Sequence, residues 1–458
     1  MSREAVESPP REPGVFSRQY LLATLGMCAL IGIAAFEALA VTTVMPTVSR
    51  ELNGESLYSL AFAAPLATSL VGMVVAGNWA DRAGPRRVVI TSTLLFGAGL
   101  LIVGLAPTML VLLLGRLVQG LGSGAVIVGL YVLVSRVFPE RLHASVFAGF
   151  AAAWVIPGLV GPVIAGTLTE TVGWHWVFLG ALLASVPAFC MVVPTLKGVV
   201  GPAGEPVAWS FSRILWSVAA AVAVVGLNLL SEVPPVVAGL VTIAAVVVLA
   251  VALRPLLPKG TLGARTGVPT LVLLRGLAGA AFLGGDVFIP YLLSAQYGFS
   301  PAASGITLTL GAVSWAFASW LVGRLGERVS QRTGIRLGLV LIVAGVLSAV
   351  ATPLWHLTPA VIVVGWTITG FGMGFVYPRF SVLVLRYSHD DERGFNSSAL
   401  TIADSAGAAV VLGVNGAVFG LLGGSSEPAA FVACFAVAAA VAVLGLAVSG
   451  RAVPRRTA

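Results

Sequence analysis

The fold class this sequence predicts is an all-α polytopic membrane protein built from two related bundles, and three observations predict it. Hydrophobic residues fill 58% of the 458 positions and charged residues only 10%, with a mean hydropathy of +1.00. Over such a length that composition cannot present a water-soluble surface, so the chain belongs in a bilayer. Apolar runs recur throughout, each of the roughly 18 residues or more needed to cross about 30 Å of hydrocarbon as a helix. The third observation is a repeat. Gly77-Asn-Trp-Ala-Asp81-Arg82 returns 246 residues later as Gly323-Arg-Leu-Gly-Glu327-Arg328. Gly115-Arg-Leu-Val-Gln-Gly120-Leu-Gly122-Ser-Gly124 returns 250 residues later as Gly365-Trp-Thr-Ile-Thr-Gly370-Phe-Gly372-Met-Gly374. Two copies of one helical bundle are the usual way to open a single site alternately to either side of a membrane.

Fourteen segments are expected. The first six lie at roughly 20–41, 58–78, 88–106, 108–134, 144–168 and 174–196. Two more lie at roughly 212–231 and 234–254, and a second six at roughly 269–293, 302–323, 335–353, 358–386, 394–422 and 427–449. The repeat offset is carried by six helices, which makes segments 7 and 8 an insertion. The expected organisation is a cytoplasmic disordered tail (1–19), a six-helix bundle (20–197), a linker holding the two inserted helices (198–268), a second six-helix bundle (269–450) and a cytoplasmic tail (451–458).

Basic residues near helix ends stay on the cytoplasmic side. Arg82, Arg86 and Arg87 follow segment 2, Arg136 and Arg141 follow segment 4, and Arg324, Arg328, Arg332 and Arg336 follow segment 10. Only Arg50 falls on the opposite side. Both termini are therefore expected in the cytoplasm, with the chain in a plasma membrane. The net charge of +8 is spread over short loops and forms no stripe for nucleic acid. The composition, with 24 Arg against two Lys, points to a GC-rich bacterial genome. The N-terminal tail has no removable signal pattern. Cys28, Cys190 and Cys434 lie within segments as small core residues.

Gly77-Asn-Trp-Ala-Asp81-Arg82-Ala-Gly84-Pro-Arg86-Arg87 resembles the loop motif of the major facilitator superfamily. Arg116 with Gln119, Gly120 and Gly122 resembles its helix 4 motif, and Gly161-Pro162 with Gly166 its helix 5 antiporter motif. Fourteen helices with a two-helix insertion are similar to the drug:proton antiporter branch. The chain departs from that branch at Pro157 and Ala165, where glycines are usual, and at Glu37, which stands where segment 1 usually has Asp. The resemblance implies the major facilitator fold and proton-coupled export of lipophilic or amphipathic compounds, with no cofactor.

The residues carry a reading of their own. Asp81 and Arg82 close a turn bearing Gly84, where an acid among basic neighbours can latch one conformation, and Glu327 with Arg328 repeats it. Gly158, Gly161 and Gly166 let another helix approach segment 5 closely, and Pro157 and Pro162 loosen its backbone there. Ionisable groups inside hydrocarbon cost about 2.5 to 3.5 kcal/mol on insertion scales, so they mark working sites. Five stand out: Glu37, Asp286 and Asp404 as expected proton-coupling carboxylates, and Arg116 and Arg379 as expected charge partners. Glu37 and Asp286 lie at like depth in pseudo-equivalent segments, and Arg116 matches Glu37 in depth, so those two are expected to pair. Trp366 stands where the first half has Arg116, leaving Asp286 without an equivalent cation. Arg379 and Asp404 agree in depth within about a turn and are expected to pair.

The four histidines, His143, His175, His356 and His389, have no metal-ligand spacing. No Gly-Lys dipeptide exists, which argues against a phosphate-binding loop and direct use of ATP. The expected activity is therefore secondary transport and not enzymatic. Partners are protons, a lipophilic small molecule or a lipid, and the bilayer, with the protein acting as a monomer. Phe36, Phe150, Trp154, Phe288, Trp315, Tyr377 and Asn415 are the expected walls of a mostly apolar cavity. An exporter of a lipid or lipidic metabolite, a proton-coupled importer and a non-transporting receptor are the alternatives.

Overall fold

The computed structural model describes residues 14–199, 209–228, 235–325, 328–389 and 392–453. Among them every extended element is a helix and no strand occurs. The N-terminal bundle comprises α1 (Leu21–Glu51), α2 (Tyr58–Ala83), α3 (Pro85–Gly104), α4 (Met109–Val137), α5 (Glu140–Thr171) and α6 (His175–Leu196). The inserted pair is α7 (Phe211–Asn228) and α8 (Pro235–Leu253). The C-terminal bundle comprises α9 (Val268–Asp286), α10 (Phe288–Tyr297), α11 (Pro301–Leu325), α12 (Gln331–Leu354), α13 (Pro359–Tyr387), α14 (Arg393–Leu421) and α15 (Pro428–Val448).

Twelve stretches among the described residues are long and apolar enough to cross a membrane, α9 and α10 forming one of them. The inserted helices add 18 and 19 residues. The surface is studded with exposed apolar side chains such as Leu94, Leu101, Leu110 and Leu114, as lipid contact requires. Two ends can be distinguished by their turns. One carries the α1–α2 turn with Glu55, the other the α2–α3 turn with Arg86.

The glycine repeat acts as backbone packing, and does so identically in both halves. On α4, a methyl group at Gly120 or Gly124 would press into the α2 backbone at Pro65 and Ser69, and one at Gly122 into α3 at Phe96. On α13, Gly370 and Gly374 stand in the same way against α11 at Gly311 and Trp315, and Gly372 against α12 at Gly338. Small residues let helices touch backbone to backbone where no hydrophobic force drives them together. The repeat fixes one three-helix unit twice.

Segment 1 extends ten residues beyond its expected end, to Glu51. Its Thr42 hydroxyl donates to the Leu39 carbonyl at 2.7 Å and Ser49 to the Pro46 carbonyl at 3.2 Å, so the polar tail bonds largely to its own helix, while the Thr43 hydroxyl is buried without a partner. Segment 9 is not one helix. It breaks at Val287, because Pro290 has no N–H to give the Asp286 carbonyl four residues earlier. The carbonyls around the break find partners from other helices. Asn415 Nδ2 on α14 donates to Gly284 O at 3.1 Å, and Tyr58 on α2 donates its hydroxyl to Val287 O at 2.7 Å.

The bundles meet along two seams, α2 with α14 and α5 with α11. α7 lies against both α2 and α14, while α8 packs on α7. The three described hydrogen bonds that join the bundles all lie in the Glu55 half. They are Tyr58 to Val287, Ser425 Oγ to Glu55 Oε2 at 2.7 Å, and the Ala302 N–H to Glu170 Oε1 at 2.8 Å. Around them Tyr58, Phe288, Tyr291 and Phe419 pack ring on ring, with centroids 4.4 to 5.6 Å apart. This half of the interface is closed by aromatic packing.

Candidate functional site

Four centres of charge lie inside the helical body among the described residues. In the N-terminal bundle, Glu37 on α1 and Arg116 on α4 are 6% and 3% exposed, and Arg116 Nη1 donates to Glu37 Oε1. The guanidinium also donates through Nε to Ala61 O on α2 at 2.9 Å and through Nη1 to Gln119 Oε1, three residues along its own helix, at 2.9 Å. Three helices thus hold one ion pair whose charge is compensated and hydrogen-bonded, as a buried pair must be.

In the C-terminal bundle Asp286 ends α9 and is 5% exposed. Its described hydrogen-bond partner is neutral: Trp366 Nε1 on α13 donates to Oδ1 at 2.9 Å. Trp366 is itself fully buried and stacks on Phe282 with centroids 5.1 Å apart. Asp286 therefore has an indole where Glu37 has a guanidinium.

The third and fourth centres correct an expectation. Arg379 does not pair with Asp404. It turns toward α12, where its guanidinium lies beside Gly334, donates from Nη1 to Phe375 O at 2.7 Å, and leaves Nη2 buried without a partner. Depth was matched, but azimuth was not. Tyr377 and Arg379 are two residues apart, about 200° around a helix, and it is Tyr377 that faces α14. Its hydroxyl donates to Asp404 Oδ1 at 2.7 Å, and Arg275 Nε on α9 donates to Oδ2 at 3.2 Å. Arg275 also lies over the Tyr377 ring, its guanidinium carbon 3.6 Å from the centroid. Sequence reasoning passed over Arg275. The signal was present: 275, 279, 282 and 286 form one stripe of α9, so Arg275 shares a face with Asp286.

The expected cavity walls divide. Trp315 and Tyr377 are half-buried and in edge contact, with centroids 4.9 Å apart. Phe288 and Asn415 are wholly buried, in the closed Glu55 half and at the α9 break. Phe150 is buried against Tyr131, and Trp154 is exposed. Phe36 lines a cavity of about 480 Å³ between α1, α5 and α6, a side groove walled by Gly32, Leu168, Trp176 and Gly180 and not a central chamber.

The helix 5 motif lies on the α5–α11 seam. A Cβ at Gly166 would come within 2.7 Å of Ala302 Cα, and one at Gly305 on α11 within 2.7 Å of Pro162 O, while Gly158 and Gly161 face Ala312 and Phe36 at ordinary contact distance. Pro157 is buried beside them. At the other turn Gly84 caps α2 with φ 78° and ψ 166°, a conformation open only to glycine, and Pro85 starts α3. Asp81, Arg82 and Arg86 are exposed there, and Gly77 is loosely packed against Val128. Arg328 is exposed, and Glu327 lies outside the described residues. Among the described residues no cluster of His, Cys, Asp or Glu can hold a metal ion. Of the three cysteines, Cys434 is buried, Cys28 is half-buried and Cys190 is exposed on the apolar surface.

The family model for the Major Facilitator Superfamily matches residues 25–293 and 286–458. The chain belongs to that superfamily. It is a membrane transporter and not an enzyme. It is 25% identical over 428 residues to the multidrug transporter protein MdtP of Bacillus subtilis, covering 90% of this chain and 77% of that one. It is 23% identical over 374 residues to the multidrug efflux pump SdrM of Staphylococcus aureus, covering 80% and 82%. Among solved structures, a POT family transporter in complex with 5-aminolevulinic acid superposes with a TM-score of 0.70 at 15% identity, covering 95% and 97%. A bacterial homologue of the human lysosomal transporter Spinster, inward-facing and occupied, gives 0.64 at 14%, covering 96% and 97%. At such identities these two carry the fold alone.

Proposed function

We propose that this transporter exports lipophilic or amphipathic compounds in exchange for protons, with Asp286 as the group that carries the proton. The observation that bears the reading is the contrast between the two buried carboxylates. Glu37 has its charge answered by Arg116, whereas Asp286 is equally buried and faces a neutral indole. A carboxylate without a counter-charge gains most from being neutralised before it moves through a closed interior. One proton does that.

Asp286 also sits at the break between α9 and α10, next to the carbonyl that Tyr58 clasps from the other bundle. Binding or losing a proton there acts at the joint that holds the Glu55 half shut. Substrate that binds only one charge state of the site shifts the equilibrium between the two access states; substrate indifferent to it shifts nothing. In this reading the Arg86 end faces the cytoplasm of a bacterial cell, both termini lie on that side, Asp81 and Arg82 latch the cytoplasmic turn, and the protein works as a monomer. The multidrug relatives support the choice of drug-like compounds over a lipid or lipidic metabolite, which is the second reading.

The test is reconstitution in liposomes with a pH dye trapped inside and a panel of lipophilic cations, neutral drugs and lipids outside. Substrate-dependent proton movement that disappears in Asp286→Asn is the expected outcome. Substrate or lipid transfer without any pH change, unaltered by that substitution, sinks proton antiport and puts lipid transfer in its place.

A further inference from the structure

The stripe Arg275, Gly279, Phe282 and Asp286 on α9 spans twelve residues, about 16 Å from end to end at 1.5 Å per step. Between its charged ends runs an unbroken chain of rings. Trp366 stacks on Phe282, Phe282 meets Trp315 edge-on at 5.3 Å, Trp315 meets Tyr377, and Tyr377 lies under Arg275. The end at Arg275 is a built site. Asp404 takes Arg275 Nε on one oxygen and the Tyr377 hydroxyl on the other. Gly279 is the residue that makes room for it, since a methyl group there would press into Asp404 Oδ1 and come within 2.7 Å of the Tyr377 hydroxyl.

The guanidinium is only partly used. Nη1 and Nη2 make no hydrogen bond among the described residues, yet neither is buried, and the side chains of Arg275 and Asp404 remain 20% and 27% exposed. A planar guanidinium held over a ring, with its terminal fork open, is preorganised for two parallel hydrogen bonds to a carboxylate or phosphate. The rings beyond it offer an apolar bed.

We propose that Arg275 is a recognition site for the anionic head of an amphipathic substrate, a carboxylate or phosphate ester whose apolar body lies along Tyr377, Trp315 and Phe282. This rests on the transporter reading above and names a substrate class for it. Asp404 has a double role: it orients the guanidinium and offsets its charge, so it limits how tightly an anion is held. The two partners of this ion pair must then affect anion binding in opposite directions.

Equilibrium binding to protein in nanodiscs tests this without requiring transport, using three probes of one shape: 1-naphthoate, 1-naphthylmethylammonium and 1-naphthylmethanol. The expected result is preference for 1-naphthoate, weakened tenfold or more in Arg275→Gln and less in Arg275→Lys, but strengthened severalfold in Asp404→Asn. Nanodiscs containing phosphatidylglycerol separate two sources of the head group. Displacement of 1-naphthoate by that lipid makes a bilayer lipid the occupant, and no displacement makes it a soluble compound; either fits the proposal. Preference for the ammonium probe overturns it, as does loss of binding in both Arg275→Gln and Asp404→Asn, the behaviour of a merely structural ion pair. If Arg275→Gln fails to fold, Arg275→Lys and the sign of the Asp404→Asn change still decide. Anion binding without substrate-dependent proton movement would leave this site standing and remove the antiport reading; the reverse would do the opposite.

Discussion

The two halves place a carboxylate at matching positions and answer it differently. In the N-terminal half Arg116 of α4 meets Glu37 of α1 and ties it to α2 through the Ala61 carbonyl. In the C-terminal half the residue at the matching offset is Trp366 of α13, and it meets Asp286 of α9 through a single indole N–H. The glycine packing of α4 and of α13 is the same, so the halves differ in two other respects: the side chain that meets the carboxylate, and the break that follows Asp286 in α9 where α1 runs on unbroken past Glu37. Among the described residues one half meets its carboxylate with a cation, and the other meets it with a neutral donor.

The largest expected effect breaks the compensated side. Arg116→Ala leaves Glu37 buried without a cation and should cost about 3–5 kcal/mol, read by denaturant unfolding in mixed micelles. Adding Glu37→Gln should recover part of that loss; if the single variant is as stable as the parent, the pair is not what holds α1, α2 and α4 together. Next, Trp366→Phe removes the described donor to Asp286, with an expected loss of about 1–3 kcal/mol. Its effect should fall below that of Arg116→Ala, and the opposite order would erase the contrast between the halves.

The sequence made the first of these comparisons legible and hid another. Helices and repeat follow from apolar length and from glycine spacing, because both are one-dimensional quantities. Depth along a helix is also one-dimensional, which is why Glu37 and Arg116 could be matched by counting. The Arg379 and Asp404 match failed because pairing also needs azimuth, and two residues along α13 put Arg379 on the α12 side and Tyr377 on the α14 side. Arg275 was within reach of the helical period applied to α9 from Asp286 backwards. The break at Val287 could be placed from Pro290, but the Tyr58 hydroxyl that caps it comes from 229 residues away, and no local pattern announces such a partner.

Two smaller effects sharpen the comparison. Tyr58→Phe deletes the hydroxyl clasp on Val287 O and should lower stability by about 0.5–1.5 kcal/mol, while raising the reactivity of a cysteine placed at Ser425 toward a membrane-impermeant maleimide. Unchanged labelling would mean that the aromatic packing alone keeps that end shut. Smallest of all, Asp286→Asn retains an acceptor for the Trp366 indole and should move stability by less than about 1 kcal/mol, while Glu37→Gln strands Arg116 and costs more. Equal losses in the same unfolding titration would show that Asp286 too has a hidden cation.

The placement of α7 has a mechanical consequence. It rests on α2 from one bundle and α14 from the other, whereas at the α5–α11 seam the helix that touches both is α1, itself a member of the N-terminal bundle. The molecule's compliance is thereby one-sided. Any relative rotation of the bundles must shear α7 on one flank and meets no such brace on the other, so displacement grows from the braced flank to the free one, like a cover turning on its spine.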